Sequence, residues 1–159
     1  MPLPTRSLYA VDPRSHRPRL VVQVEPHGWQ EPSQVEEALC ALIPALDRAA
    51  IDVALLASPA TTFVIRRDSQ SRQFEVDEVA TAEALSPLPL VDDPAELFAC
   101  VEQWFGRVAS DWRQFVPQTA LPKRVPEIVP LVVGSELRSR DGSIGLPEVT
   151  GAEAEAGLG

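Results

Sequence analysis

The sequence predicts a mixed α/β fold, a central sheet of parallel and antiparallel strands flanked by helices. Three observations predict it. Residues 20–24, LVVQV, are apolar at Leu20, Val21, Val22 and Val24, so this run offers both faces to a core and belongs centrally in a sheet. A stretch of helical period follows, with Val35, Leu39, Leu42, Ile43 and Leu46 spaced three and four apart. A second apolar run at residues 53–56 comes next and leads into closely spaced extended segments, and a helix feeding an apolar strand and a hairpin argues for a mixed sheet.

The elements can be justified in order. Residues 7–12, SLYAVD, end at Asp12-Pro13, and PRSHRP is a turn into the 20–24 strand; two extended runs this close predict an antiparallel hairpin. Ser33 with Glu36 three residues on has the pattern of a capping box, which satisfies free amides at the start of the first helix. Pro44 should kink that helix or end its regular bonding early. After the 53–56 strand, Ser58-Pro59-Ala60 turns the chain into a strand at 62–66, and Asp68-Ser69-Gln70-Ser71 turns it again into 73–76. Residues 78–87 hold a short helix. A longer helix starts at Asp92 or Asp93 with Pro94 in its first position. Leu97, Phe98, Val101, Trp104, Phe105, Val108, Trp112 and Phe115 line one of its faces, a stripe that suits either a core or a docking surface.

Beyond Pro117 the composition changes. PQTALPKRVPEIVP has four prolines in fourteen residues and reads as an extended arm over 117–133. Residues 134–159 set Arg138 and Arg140 against Glu136, Asp141, Glu148, Glu153 and Glu155, a net −3, and read as a flexible acidic tail. The expected organisation is therefore one α/β domain over 1–116, the arm and the tail.

At 159 residues, 45% apolar and 23% charged, the chain has the composition of a globular protein. A net charge of −9 disfavours a broad nucleic-acid footprint, which depends on Lys and Arg releasing counterions. No apolar run approaches the roughly 18 residues that span a bilayer, and MPLPTRSLYAV lacks the apolar segment of a signal peptide. Together with Cys40 and Cys100, read as small buried hydrophobes in a reducing compartment, this predicts a cytoplasmic protein without a membrane segment. His16 and His27 fall in loops without zinc-ligand spacing. GSELRSRDGSIG lacks a P-loop lysine, and no G-x-S-x-G elbow occurs. The doublets Arg66-Arg67 and Lys123-Arg124 read as solvated element ends.

The order of hairpin, helix, apolar strand and hairpin resembles the core of the PD-(D/E)xK, restriction-endonuclease-like superfamily over roughly residues 5–90. VDPRSHRPRLVVQVEP looks like the hairpin that carries its catalytic motifs, AAIDVALLASPATTFVIRRD like the strand pair behind its site, and FEVDEVATAEALSP like the run that follows in uncharacterised bacterial nuclease-like proteins. The resemblance implies two carboxylates holding Mg²⁺, with a lysine two residues after the second, on the same face of the strand. Superposed through the hairpin turn, the second carboxylate falls at Gln23, the lysine at Glu25 and the first aspartate near Ser7. A looser register offers Asp12 and Glu25, with Asp52 as a third candidate.

Two expectations follow. The first is a non-catalytic nuclease-fold protein, with no cofactor, that binds a protein partner within a larger bacterial assembly. Trp104, Phe105 and Trp112 on the helix, with Ile128 and Val132 on the arm, are its expected contact residues. The alternative is an Mg²⁺-dependent nuclease that uses Asp12, Glu25 and Asp52.

Overall fold

Val21 and Val22 point to opposite faces of one sheet, and both are buried. The computed structural model describes residues 4–89 and 93–142. Along the chain these form β1 (Arg6–Val11), β2 (Pro18–Val24), α1 (Pro32–Ala49), β3 (Val53–Ala57), β4 (Thr61–Arg67) and β5 (Phe74–Ala80). Then come α2 (Thr81–Ala84), α3 (Pro94–Phe115), a 3-10 turn (Val116–Gln118), α4 (Leu121–Arg124), α5 (Ile128–Val132) and β6 (Glu136–Asp141). The sheet order is β5-β4-β3-β2-β1-β6. β2 and β3 are parallel and linked through α1, and the remaining neighbours pair antiparallel. The protein is thus a mixed α/β fold built on a six-stranded mixed sheet.

The side-chain period of two in a strand divides the core into two clusters. On one face, Leu42, Ala45 and Leu46 of α1 pack against Tyr9, Val21, Ala54, Leu56 and Ile65. On the other, α3 and the segments after it pack Trp104, Phe105, Val108 and Phe115 against Leu8, Val22, Leu55 and Val64. β2 and β3 are buried on both sides because helices cover both faces.

Several boundaries differ from expectation for local physical reasons. The α1 cap lies two residues earlier than Ser33: Glu31 is the cap residue, Pro32 opens the helix, and the Gln34 side-chain oxygen accepts from the backbone amides of Gln30 (2.8 Å) and Glu31 (3.3 Å). The helix runs through Pro44 to Ala49. Pro44 is on the exposed side, so the Cys40 carbonyl that it leaves without a donor meets water. Cys40 is itself exposed, off the apolar stripe, and Cys100 only half-buried, so neither is the buried hydrophobe expected. Ala50 ends α1 in the left-handed region at φ 57°, and the Ile51 amide donates back to Leu46 at 3.0 Å. α3 starts as expected, with Asp93 accepting from the Ala95 amide at 3.0 Å and Pro94 in the first turn.

Residues 117–133 are not an extended arm. They fold back as the 3-10 turn, α4 and α5, and bury Leu121, Val125, Ile128 and Val132 in the core against the sheet. The prolines permit this because Pro117, Pro122 and Pro130 occupy first turns, where no helical hydrogen bond needs their missing N–H. The expected tail from residue 134 begins as β6, antiparallel to β1 from Arg6↔Asp141 to Val11↔Glu136. Its charged sequence, ELRSRD, suits an edge strand. The rest of that expected tail, 143–159, lies outside the described residues. Among the described residues no helix is long and apolar enough to cross a membrane.

Candidate functional site

β2 delivers Gln23 to the end of the sheet, directly opposite Ser7 of β1, and Glu25 follows two residues later on the same side. Ser7 is fully buried and Gln23 is 5% exposed. The Glu25 backbone amide donates to the Ala57 carbonyl at 2.8 Å, which extends the β2–β3 pairing by one bond and anchors the residue. Both oxygens of its carboxylate are engaged by neutral donors. Thr5 Oγ1 donates to Oε1 at 2.7 Å and Gln23 Nε2 to Oε2 at 3.1 Å. Ser7 Oγ donates to the Gly142 carbonyl at 2.8 Å, tying the start of β1 to the end of β6. Tyr9, next on this face, has its hydroxyl oxygen buried without a hydrogen-bond partner among the described residues. Burial pushes its phenol above the ordinary value, against smaller opposing effects of Arg140 and Ser7.

This arrangement has the chemistry of a structural polar cluster. An amide, two hydroxyls and one carboxylate can satisfy one another. A hard divalent cation would need further carboxylates beside Glu25.

The other candidate carboxylates lie elsewhere. Asp12 holds the β1–β2 turn: its Oδ1 accepts from the Arg14 amide at 2.9 Å, and its backbone carbonyl accepts from His16 at 2.8 Å. The Arg14 amide bond holds the Asp12 carboxyl below its ordinary value. Asp52, just before β3, accepts from Arg67 Nε at 2.9 Å. Arg67 also donates to Asp47 at 2.7 Å and covers the Phe74 ring at 4.3 Å, so it ties α1, β3 and β5 together. Arg67 is accordingly no solvated strand end, and Arg66 pairs with Glu127 at 3.2 Å. Both Asp12 and Asp52 lie at the end of the sheet where β2 begins, whereas Glu25 follows its other end. β2 is seven residues long, so at about 3.3 Å per residue the two ends are roughly 20 Å apart. Asp12, Glu25 and Asp52 do not converge. Among the described residues no group of three His, Cys, Asp or Glu side chains is placed to hold a metal ion.

The expected contact residues divide sharply. Trp104 is 0% exposed and donates its indole N–H to the Ser86 carbonyl at 3.1 Å; Phe105, Ile128 and Val132 are buried as well. These four hold the fold together and do not form a docking face. Trp112 differs, being 37% exposed, because Asp111 breaks the helical geometry of α3 (φ −137°, ψ 33°) just before it. The stripe of period 3.6 read from the sequence assumed an unbroken helix, and the kink turns Trp112 outward while Phe115 returns to the core.

A feature that sequence reasoning missed is a groove of about 640 Å³ at the carboxyl ends of β2 and β3, the parallel pair. Trp29 and Phe63 form its apolar floor, edge to face with centroids 5.7 Å apart, and Glu31, Glu36 and Glu78 stand around it. Gly28 shapes the loop beside it. At φ +66° it occupies the left-handed region, and a Cβ there would come within 3.5 Å of Ser58 Cβ. The signal in the sequence was His27-Gly28-Trp29 directly after a strand end, an aromatic residue placed by a glycine turn.

No family model, no curated protein and no solved structure matches this chain.

Proposed function

We propose that this chain is a non-catalytic α/β module of nuclease-like type that works by binding a protein partner, as a cytoplasmic subunit of a larger bacterial assembly. The observation that carries the reading is the state of Glu25. At the strand end where the resemblance calls for a metal-holding carboxylate and a lysine, Gln23 donates to Glu25, and the nearest further donor is the neutral Thr5. The strict superposition through the hairpin turn brings Ser7, Gln23 and Glu25 to one locus, and these residues lack the charge pattern that metal-assisted phosphodiester cleavage requires. The separation of Asp12 and Asp52 from Glu25 argues against the nuclease alternative. The net charge of −9 favours a protein partner over nucleic acid.

The test has two arms. Purified chain incubated with single- and double-stranded DNA or RNA and Mg²⁺ or Mn²⁺ should leave the substrate intact. Tagged chain recovered from its source cells should migrate in a complex of defined composition larger than the chain alone. Metal-dependent cleavage that disappears in Glu25→Ala would overturn the reading, as would recovery of the chain only in free form.

A further inference from the structure

β5 is an edge strand with an unusual combination of features. Among the described residues nothing pairs with its outer side, so its backbone presents a row of free donors and acceptors. Val76, midway along it, is 40% exposed, one of two large apolar side chains left in solvent among the described residues. Glu75 and Asp77 flank it in the chain and point to the opposite face, Glu78 follows it on its own face, and all three are exposed. Asp77 lies 3.9 Å from Arg66, while Glu75 and Glu78 have no ion-pair partner among the described residues. Glu78 stands directly opposite Phe63 in the β4–β5 ladder and lines the Trp29 groove, so strand edge and groove form one continuous surface.

Resting on the protein-binding reading above, we propose that this surface docks an extended segment of a partner protein in which Lys or Arg alternates with apolar residues. The segment adds to the sheet as a strand beyond β5. Its backbone pairs with the open edge, and its apolar residues extend the row formed by Phe74 and Val76. Its basic side chains emerge on the other face and meet Glu75 and Asp77, while Glu78 at the end of the apolar row carries the acidic surface on to the Trp29 groove.

The charges choose the occupant. A second copy of β5, paired antiparallel about its midpoint, would bring Asp77 against Asp77 among further carboxylates, and like charges directly opposite are destabilising. Residues 143–159 of this chain carry Glu148, Glu153 and Glu155 and no Lys or Arg, so they too are repelled. A basic extended segment satisfies both the free backbone and the unpaired carboxylates.

The probe is a seven-residue capped peptide alternating Val and Lys, added to the ¹⁵N-labelled full chain. Amide shifts and slowed hydrogen exchange should be confined to β5 and the groove, including the Trp29 indole. Glu75→Lys/Glu78→Lys should weaken binding at least tenfold and favour the matching Val-Glu peptide. Should that variant fail to fold, Glu75→Gln/Glu78→Gln should weaken binding threefold or more. A Val-Lys peptide with a central proline should bind at least fivefold less tightly. Equal binding of the proline peptide, or shifts centred away from β5, would overturn the proposal. In source cells, Glu75→Lys/Glu78→Lys should lose the complex. If that variant keeps it, the β5 surface is refuted and the protein-binding reading survives; if the unsubstituted chain has no complex, the reading itself fails.

Discussion

Ser7 stands directly opposite Gln23 in the β1–β2 ladder, and both are buried on the face that α1 covers. Gln23 donates an amide hydrogen bond to Glu25, so a polar cluster that begins inside the sheet ends in a carboxylate at its border.

Glu25→Ala removes the acceptor for both Thr5 Oγ1 and Gln23 Nε2. The expected loss of stability is about 1–3 kcal/mol, because the Gln23 amide is left without this partner in a buried position. Urea unfolding with and without Mg²⁺ checks it, and the ion should not alter the difference.

Trp104→Ala and Trp112→Ala should behave very differently although both come from one helical stripe. Trp104 is enclosed and its indole is hydrogen-bonded, so truncation should cost about 3–5 kcal/mol. Trp112→Ala should fall within about 1 kcal/mol of the parent. Denaturant midpoints at equal m-value provide the comparison.

Tyr9 is the single tyrosine of the chain, so the tyrosinate absorbance of a pH titration reports it alone. Burial raises its pKa above the ordinary 10.0. A raised folded-state pKa contributes stability that is complete below the unfolded value and is lost as pH rises through the folded one. Tyr9→Phe should remove this alkaline component and leave stability at neutral pH unchanged or slightly higher, since the hydroxyl oxygen has no hydrogen-bond partner among the described residues.

Asp12 and Asp68 should act in acid with the opposite sign. Backbone amide bonds, from Arg14 to Asp12 and from Ser71 to Asp68, hold both carboxyls below the ordinary 3.8. Their contribution is present above that value and is lost as pH falls through the lowered ones. Asp12→Asn/Asp68→Asn should flatten the stability profile below the ordinary carboxylate range, measured by thermal unfolding across pH.

Ending the chain at residue 116 should abolish cooperative unfolding. It removes Leu121, Val125, Ile128 and Val132 from the core, and at about 1.5–3 kcal/mol for each buried apolar side chain the loss rivals the whole stability of a typical domain. Circular dichroism and a denaturant curve would show it.

The parts of the fold legible in sequence were those decided by local pattern. β2 and β3 announced themselves by apolar runs, α1 by its stripe, and the start of α3 by Asp93-Pro94. What escaped was decided at long range. A proline-dense segment and a charged hexapeptide became core helices and a sheet edge because β1 and the α3 face were there to receive them. The surroundings of Glu25 depend on Thr5, twenty residues earlier, which no spacing rule connects to it. The Trp29 groove likewise needs Phe63 and Glu78 brought across three strands.

The pairing of β1 with β6 also sets a schedule. Ser7 reaches its acceptor on Gly142 across 135 positions of chain. At a synthesis rate of about 5–20 residues per second, the outer edge of β1 waits on the order of ten seconds for β6 to emerge. Throughout that interval the largely apolar β1 is itself the edge of the sheet, and the later arrival of six residues replaces it there with the charged β6.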